Sequence, residues 1–148
     1  MFKRIGFGTL AYLVPTFVIA FVWHLILFKH RYDALGIYRD DVIIPFGFLS
    51  MIIQGVLFAW IYETGFSRRE GSWSGKAFAF ASFGAALSWS FTTIAVAAKN
   101  VMSSVPDYLL IETAFTCVQW LLVAPAMVWA FTSQKATHVV VSTRMTDS

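Results

Sequence analysis

Residues His24 to Pro45 read HLILFKHRYDALGIYRDDVIIP, so a short charged stretch separates the end of one long apolar segment from the start of another. Six of the charged residues of the chain, which has 11 basic and 8 acidic ones, fall between Lys29 and Asp41. Two apolar segments on either side of such a connection are typical of a helical hairpin in a membrane. The rest of the chain repeats this alternation and thereby predicts four spans.

The composition excludes an ordinary soluble domain. The 148 residues are 58% hydrophobic and 13% charged, with a mean hydropathy of +0.68, whereas roughly a quarter of the residues of soluble domains are charged. The net charge of +3 comes mostly from Lys and Arg beside the ends of the apolar segments. Membrane insertion explains that distribution, so we predict no nucleic-acid partner. Cys117 is the sole cysteine, which excludes an intrachain disulfide.

The predicted fold class is an all-α integral membrane protein, a four-transmembrane-helix bundle with short connections. About 20 predominantly apolar residues suffice to cross a bilayer as a helix. The first apolar segment is longer than the core of a usual signal peptide, so we interpret it as a retained span. The single membrane domain occupies residues 1–148, with spans at about 6–28, 42–64, 77–98 and 108–132 and a polar C-terminal tail at 133–148.

The connections also predict local structure. Tyr32, Leu35 and either Ile37 or Tyr38 are spaced to share the apolar face of a short helix at the membrane surface. At the end of the second span, Glu63 is expected to form an ion pair with the arginines at 68–69.

The distribution of basic residues predicts the orientation in the membrane. The N-terminus, the second connection and the tail carry seven Lys and Arg residues, against four in the first and third connections. Because cytoplasmic loops are enriched in Lys and Arg, we predict that both termini lie in the cytoplasm. The predicted location is a bacterial cytoplasmic (inner) membrane.

Small residues recur at spacings that let helices approach each other closely. Gly47 and Gly55 lie on one stripe of the second span, and Gly84 and Ser88 lie on one stripe of the third. We predict that these four positions pack against neighbouring helices. Because small residues cover several faces of the third span, we expect that span at the centre of the bundle.

Titratable side chains from all four spans lie at similar depth on one side of the membrane. An ionised group inside hydrocarbon costs roughly 2.5 to 3.5 kcal/mol, so the glutamate among them needs a partner, water or a proton. Either the group handles protons or ions, or the glutamate pairs with the histidine or the lysine only to hold the helices in register. The members of this predicted polar cluster are His24, Asp40, Asp41, Lys99 and Glu112.

The role of Gln54 stays open, whereas the spacing of two histidines argues against a metal site. Gln54, near the middle of the second span, either lines a pathway or forms a hydrogen bond with a neighbouring helix. His24 and His30 are six residues apart. Because ligands on one helical face are three or four residues apart, no metal site is predicted.

The sequence contains no nucleotide-binding loop or catalytic triad. It therefore predicts most directly a non-enzymatic accessory subunit of a larger membrane complex, embedded in the lipid bilayer beside other membrane subunits or as a homo-oligomer. One alternative is a small ion or solute carrier or channel in which Glu112 and Gln54 share a cavity. Another is a membrane enzyme that acts on a lipid or quinone near His24. No cofactor is predicted, and a bound lipid or quinone belongs to the last alternative.

Overall fold

A computed structural model describes residues 1–39 and 41–146, with side chains as far as Gln134. All regular secondary structure in this part of the chain is helical. The α-helices are α1 (Phe2–Ala20), α2 (Lys29–Leu35), α3 (Ile44–Ile61), α4 (Trp73–Ser88), α5 (Ala95–Ala97) and α6 (Val105–Thr146). Wider π-helical turns continue α1 over Phe21–Leu27, α3 over Tyr62–Phe66 and α4 over Trp89–Ile94.

Four helical stretches are long and apolar enough to cross a membrane. Their number and their helical class confirm the prediction, and they indicate a multi-pass helical membrane protein. The first to fourth spans are Phe2–Leu27, Ile44–Phe66, Trp73–Ala97 and Val105–Gln134. Their ends differ from the predicted ones by at most four residues. Because α6 continues to Thr146, it includes most of the segment predicted as a polar tail.

The fourth span is the centre of the bundle. α6 packs against both α1 and α4, and α1 packs against α3. In the most apolar part of the fourth span 50% of the residues are buried, against 17% in the third. The prediction that the third span is central is wrong, because small residues permit close approach but do not decide how many neighbours a helix has. In space, the spans follow one another in the order second, first, fourth, third.

The core of the bundle is a cluster of aromatic rings around Trp120. The centre of this ring lies 4.8 Å from Phe58 and 5.6 Å from Phe80, both in edge-to-face geometry. The Trp120 indole N–H donates to Ser88 Oγ (3.1 Å) and so links the fourth span to the third. Gly84 lies directly against the same indole, which a Cβ at this position would overlap.

The other small residues differ in their surroundings. A Cβ at Gly55 would lie 3.2 Å from the Thr9 side chain of α1, so this glycine is at a helix contact. Gly8 allows a closer approach, since a Cβ there would lie 2.6 Å from the Phe131 ring. Around a Cβ at Gly47, by contrast, no atom of the described residues lies within 4 Å. Gly47 therefore lies at an opening of the bundle, away from a helix contact.

The short helix α2 closes one end of the bundle. Its Tyr32 and Leu35 side chains are buried together with Tyr108 and Ile111 of the fourth span. The backbone N–H of Ser103 donates to the Leu35 carbonyl oxygen (3.0 Å), which fastens α2 to the third connection. The predicted short helix is thus present, with Tyr32 and Leu35 turned toward the bundle. It ends at Leu35, so neither Ile37 nor Tyr38 is part of its apolar face.

An ion pair lies at the opposite end. Arg4 Nη1 is 2.9 Å from Glu63 Oε1, and the Arg4 guanidinium lies over the Phe131 ring at 5.4 Å. The predicted pairing of Glu63 with the arginines at 68–69 is wrong, because Arg4 reaches the carboxylate from the adjacent first span.

Candidate functional site

His24, Glu112 and Tyr32 meet at the end of the bundle that α2 closes. The Tyr32 hydroxyl donates to Glu112 Oε1 (2.6 Å), and His24 Nε2 lies 3.2 Å from the same oxygen. His24 belongs to the first span, Glu112 to the fourth span and Tyr32 to α2. Glu112 is 6% exposed and Tyr32 is fully buried. The buried carboxyl group thus has two polar partners, which offset the cost of removing it from water.

Each ring nitrogen of His24 has a hydrogen-bond partner. Nδ1 is 3.0 Å from the Ala20 carbonyl oxygen, which only accepts, so Nδ1 carries a hydrogen. One further proton then lies between Nε2 and Glu112 Oε1, because two bare acceptors would repel each other. This proton is either on the ring, beside a carboxylate, or on the carboxyl group, beside a neutral ring.

The Tyr32 hydroxyl keeps its proton and donates it in the hydrogen bond to Glu112. Burial raises the pKa of its phenol above the ordinary value, and Glu112 raises that pKa further. The Tyr32 ring stacks on Tyr38, with 5.1 Å between ring centres, and lies 4.8 Å from the His24 ring. Phe115 meets the same imidazole edge to face at 4.5 Å. These rings fix the orientation of the histidine.

Asp41 and Lys99, the other described members of the predicted polar cluster, do not join this group. Because α3 begins only at Ile44, Asp41 stays in the connection, where it is exposed and pairs with Arg39 (3.3 Å). Lys99 is exposed beyond the third span, and its side chain has no ion pair within the described part of the chain. Asp40 lies outside the described residues. Among the described members of the predicted cluster, the structure therefore brings together the histidine and the glutamate.

A cleft of about 500 Å³ lies between the second and third spans. It forms because α3 and α4 make little contact, while α1 and α6 lie beneath it as a floor. Leu57 and Phe91 at its edges are 53% and 69% exposed, so the cleft opens on the side of the bundle. We call it the lateral cleft. Its polar lining residues are Tyr12, Thr16, His24, Tyr38, Ser50, Gln54, Ser88, Thr92, Glu112 and Gln119.

Hydrogen bonds within and between helices organise the polar lining of the lateral cleft. The Tyr12 hydroxyl donates to Gln54 Oε1 (2.8 Å), and the Gln54 amide donates to Ser50 Oγ (3.1 Å). Deeper in the bundle, the Gln119 amide donates to Thr16 Oγ1 (3.4 Å). Gln54 thus bonds to a neighbouring helix and lines the cleft at the same time.

A second cavity, of about 540 Å³, meets the same histidine. We call it the vestibule, and its lining residues are His24, Leu25, Lys29, Tyr32, Asp33, Gly36, Tyr38, Arg39 and Val42. Its charged side chains are exposed, as in the pair of Lys29 Nζ with Asp33 Oδ2 (2.6 Å). His24 and Tyr38 line both cavities, so they separate the charged vestibule from the lateral cleft.

Sequence reasoning missed Tyr12 and Tyr32 as members of the site. Tyr32 reads as a membrane-interface residue, the usual place of a tyrosine near a span end. Its place on the apolar face of the predicted α2 was the signal that could have drawn attention to it. Tyr12 has no such signal, because it is surrounded by apolar residues of the first span.

Within the described residues, no three His, Cys, Asp or Glu side chains lie close enough together to hold a metal ion. Comparisons with protein families, with curated proteins and with solved structures find no match for the chain. The geometry of the two cavities and of the residues between them therefore carries the functional inference.

Proposed function

We propose that the protein binds a lipid-soluble molecule in the lateral cleft, with the polar part of that molecule near His24 and Glu112. The observation that carries the proposal is a side-opening cleft whose floor is polar. Its volume of about 500 Å³ is within the usual range of small-molecule sites. A molecule dissolved in the bilayer can enter such a cleft from the side, and its apolar part can stay between the spans.

The carrier or channel alternative is supported less well. One of its requirements is met, because Gln54 and Glu112 line the same cavity. A transport path would also have to continue to the end of the bundle where the first span begins. There Tyr62 packs against Phe80, at 5.0 Å between ring centres, and against Phe131, at 4.8 Å. These rings fill the interior, so the geometry favours a binding site over a conduction path.

The substitution that tests the proposal is Gly47→Leu. Gly47 lines the lateral cleft, and no described atom lies within 4 Å of a Cβ there, so the larger side chain occupies the cleft without disturbing a helix contact. Gly6→Leu is the matched control, because Gly6 is an equally open helical position outside the cleft.

Each protein is purified from its native membrane in a gentle detergent, and the retained lipids are identified by mass spectrometry. The wild type and Gly6→Leu should retain the same molecule at a fixed stoichiometry, and Gly47→Leu should lose most of it. Equal retention by all three proteins, or no retained molecule in the wild type, would contradict the proposal.

The prediction of an accessory subunit in a larger membrane complex, or of a homo-oligomer, stays a prediction, because contacts within one chain do not address it. The same purification would reveal stoichiometric protein partners. A bacterial inner membrane likewise stays a prediction. The excess of basic residues at the N-terminus, in the second connection and in the tail supports cytoplasmic termini.

A further inference from the structure

We propose that the molecule in the lateral cleft has a neutral, flat headgroup that carries oxygen atoms, as quinones and quinols do. This inference rests on the proposed function, because it specifies the chemistry of the ligand at the same site. Its support comes from three properties of the cleft lining, which are its charge, its aromatic rings and its hydrogen-bonding groups.

The charge of the lining disfavours an anionic headgroup. Within the described chain, the cleft lining includes no Lys or Arg. Proteins commonly bind phosphate through Arg or Lys. The basic residues Lys29 and Arg39 line the vestibule instead, and each is paired with a nearby Asp. A phosphate in the cleft would have no Lys or Arg beside it, so a neutral headgroup fits better than that of a phospholipid.

Aromatic side chains in the lining favour a flat headgroup. Phe58, Phe91 and Phe115 line the cleft together with Tyr12. Aromatic rings attract other flat rings in offset-stacked and edge-to-face arrangements. Phe115 already packs edge to face against His24 at 4.5 Å, so a ring at this end of the cleft would meet both an aromatic surface and polar atoms.

The hydrogen-bonding groups favour oxygen atoms on that ring. Both hydrogen bonds of Glu112 use Oε1, and Oε2 makes none within the described part of the chain. Whether Glu112 is a carboxylate or an acid protonated on Oε1, Oε2 carries no hydrogen and accepts from a ligand hydroxyl. A quinol hydroxyl can therefore donate to Glu112, and a quinone carbonyl can accept from the side-chain amide of Gln54 in the same lining. Gln54 offers a second polar contact along the cleft.

The test is the quenching of tryptophan fluorescence by a short-tailed benzoquinone added to the full-length protein in detergent. The fluorescence comes from six tryptophans. Because Trp120 bonds to Ser88 of the cleft lining, the saturable part of the quenching reports on occupancy. The wild type and Gly6→Leu should show saturable quenching that Gly47→Leu lacks. Gln54→Leu should bind about tenfold more weakly, since it loses one hydrogen bond. Excess short-chain phosphatidylglycerol should leave the affinity for the quinone unchanged.

Thermal unfolding of each variant shows whether it is folded, and Gln54→Ser replaces Gln54→Leu if the latter is not. Displacement of the quinone by phosphatidylglycerol, or quenching that does not saturate in the wild type, would overturn the headgroup assignment. If the retained native molecule is a phospholipid, and Gly47→Leu alone loses it, the assignment of a quinone or quinol is wrong. The lateral cleft would then still be a binding site. If neither native lipid nor quinone depends on residue 47, both proposals fail.

Discussion

Two neighbouring side chains of different kinds stabilise the carboxyl group of Glu112 within the apolar bundle. Tyr32 supplies a fixed donor at 2.6 Å, and His24 shares a proton with the carboxyl group across 3.2 Å. The same contacts connect the first span, α2 and the fourth span. Holding the helices in register and preparing a polar group for a ligand are therefore two effects of one set of hydrogen bonds.

A double-mutant cycle tests this arrangement. Tyr32→Phe removes the donor and keeps the ring, while Glu112→Leu removes the acceptor and keeps a side chain of similar size. Each change should lower the free energy of unfolding by about 1–3 kcal/mol, because a buried group loses its partner. The effects should be non-additive by about 0.5–3 kcal/mol, as measured by unfolding in detergent.

Asp33→Asn is the control for this cycle. It removes an exposed ion pair with Lys29 on the same short helix, so it should change the free energy of unfolding by only about 0–1 kcal/mol. Strictly additive effects of the Tyr32 and Glu112 substitutions would show that the two side chains do not stabilise each other.

The sequence predicts some residues of the site and not others for a physical reason. His24 and Glu112 are predictable because a helix rises about 1.5 Å per residue, so distance from a span end gives depth. Depth does not tell which way a side chain points, and Asp41 and Lys99 accordingly lie outside the site. Tyr32 reaches it because α2 folds back over the bundle, which is a tertiary property.

At the scale of the helix, packing depends on where a small residue meets a large ring. Gly84 of the third span lies against Trp120 of the fourth, and Gly8 of the first lies against Phe131. A stripe of small residues in the sequence indicates a surface that allows close approach, but it does not name the partner. Gly47 and Gly55 show this, because they share a stripe and only Gly55 is at a helix contact.

Gly84→Ala should destabilise the protein by about 1–3 kcal/mol, because its Cβ would overlap the Trp120 indole in a packed core. Gly6→Ala is the control, since a Cβ at this open helical position meets no described atom within 4 Å. It should stabilise the helix by about 0.5–1 kcal/mol. The measurement is the midpoint of thermal unfolding in detergent, and equal midpoints for the two variants would contradict the packing of these spans.

At the scale of the whole molecule, the number and class of the helices follow from hydropathy, and their arrangement does not. Helices that are apolar all round carry little information about which face meets which neighbour. The order second, first, fourth, third depends on particular contacts, such as those of Gly8 and Trp120. This order separates the second span from the third and so leaves the lateral cleft between them.

The orientation of the molecule can be tested with single cysteines in a Cys117→Ser background. With cytoplasmic termini, a cysteine at Asn100 in the third connection faces outward, and a cysteine at Ser74, beside the second connection, faces inward. A membrane-impermeant maleimide applied to intact spheroplasts should therefore label Asn100→Cys and spare Ser74→Cys. After lysis both should react, and the reverse pattern in intact spheroplasts would invert the proposed orientation.

The π-helical turn that contains His24 has a consequence for how the chain tolerates changes of length. Over Phe21–Leu27 the helix winds more loosely than an α-helix, and the N–H of Phe28 reaches back five residues to the Trp23 carbonyl (3.0 Å). The stretch therefore contains more residues than an α-helix of the same axial length would contain. Deleting one residue there would let it tighten into an α-helix, and each residue of an α-helix turns by about 100°. The deletion would shorten the protein by a single residue, yet it would turn the imidazole away from the carboxyl group it faces.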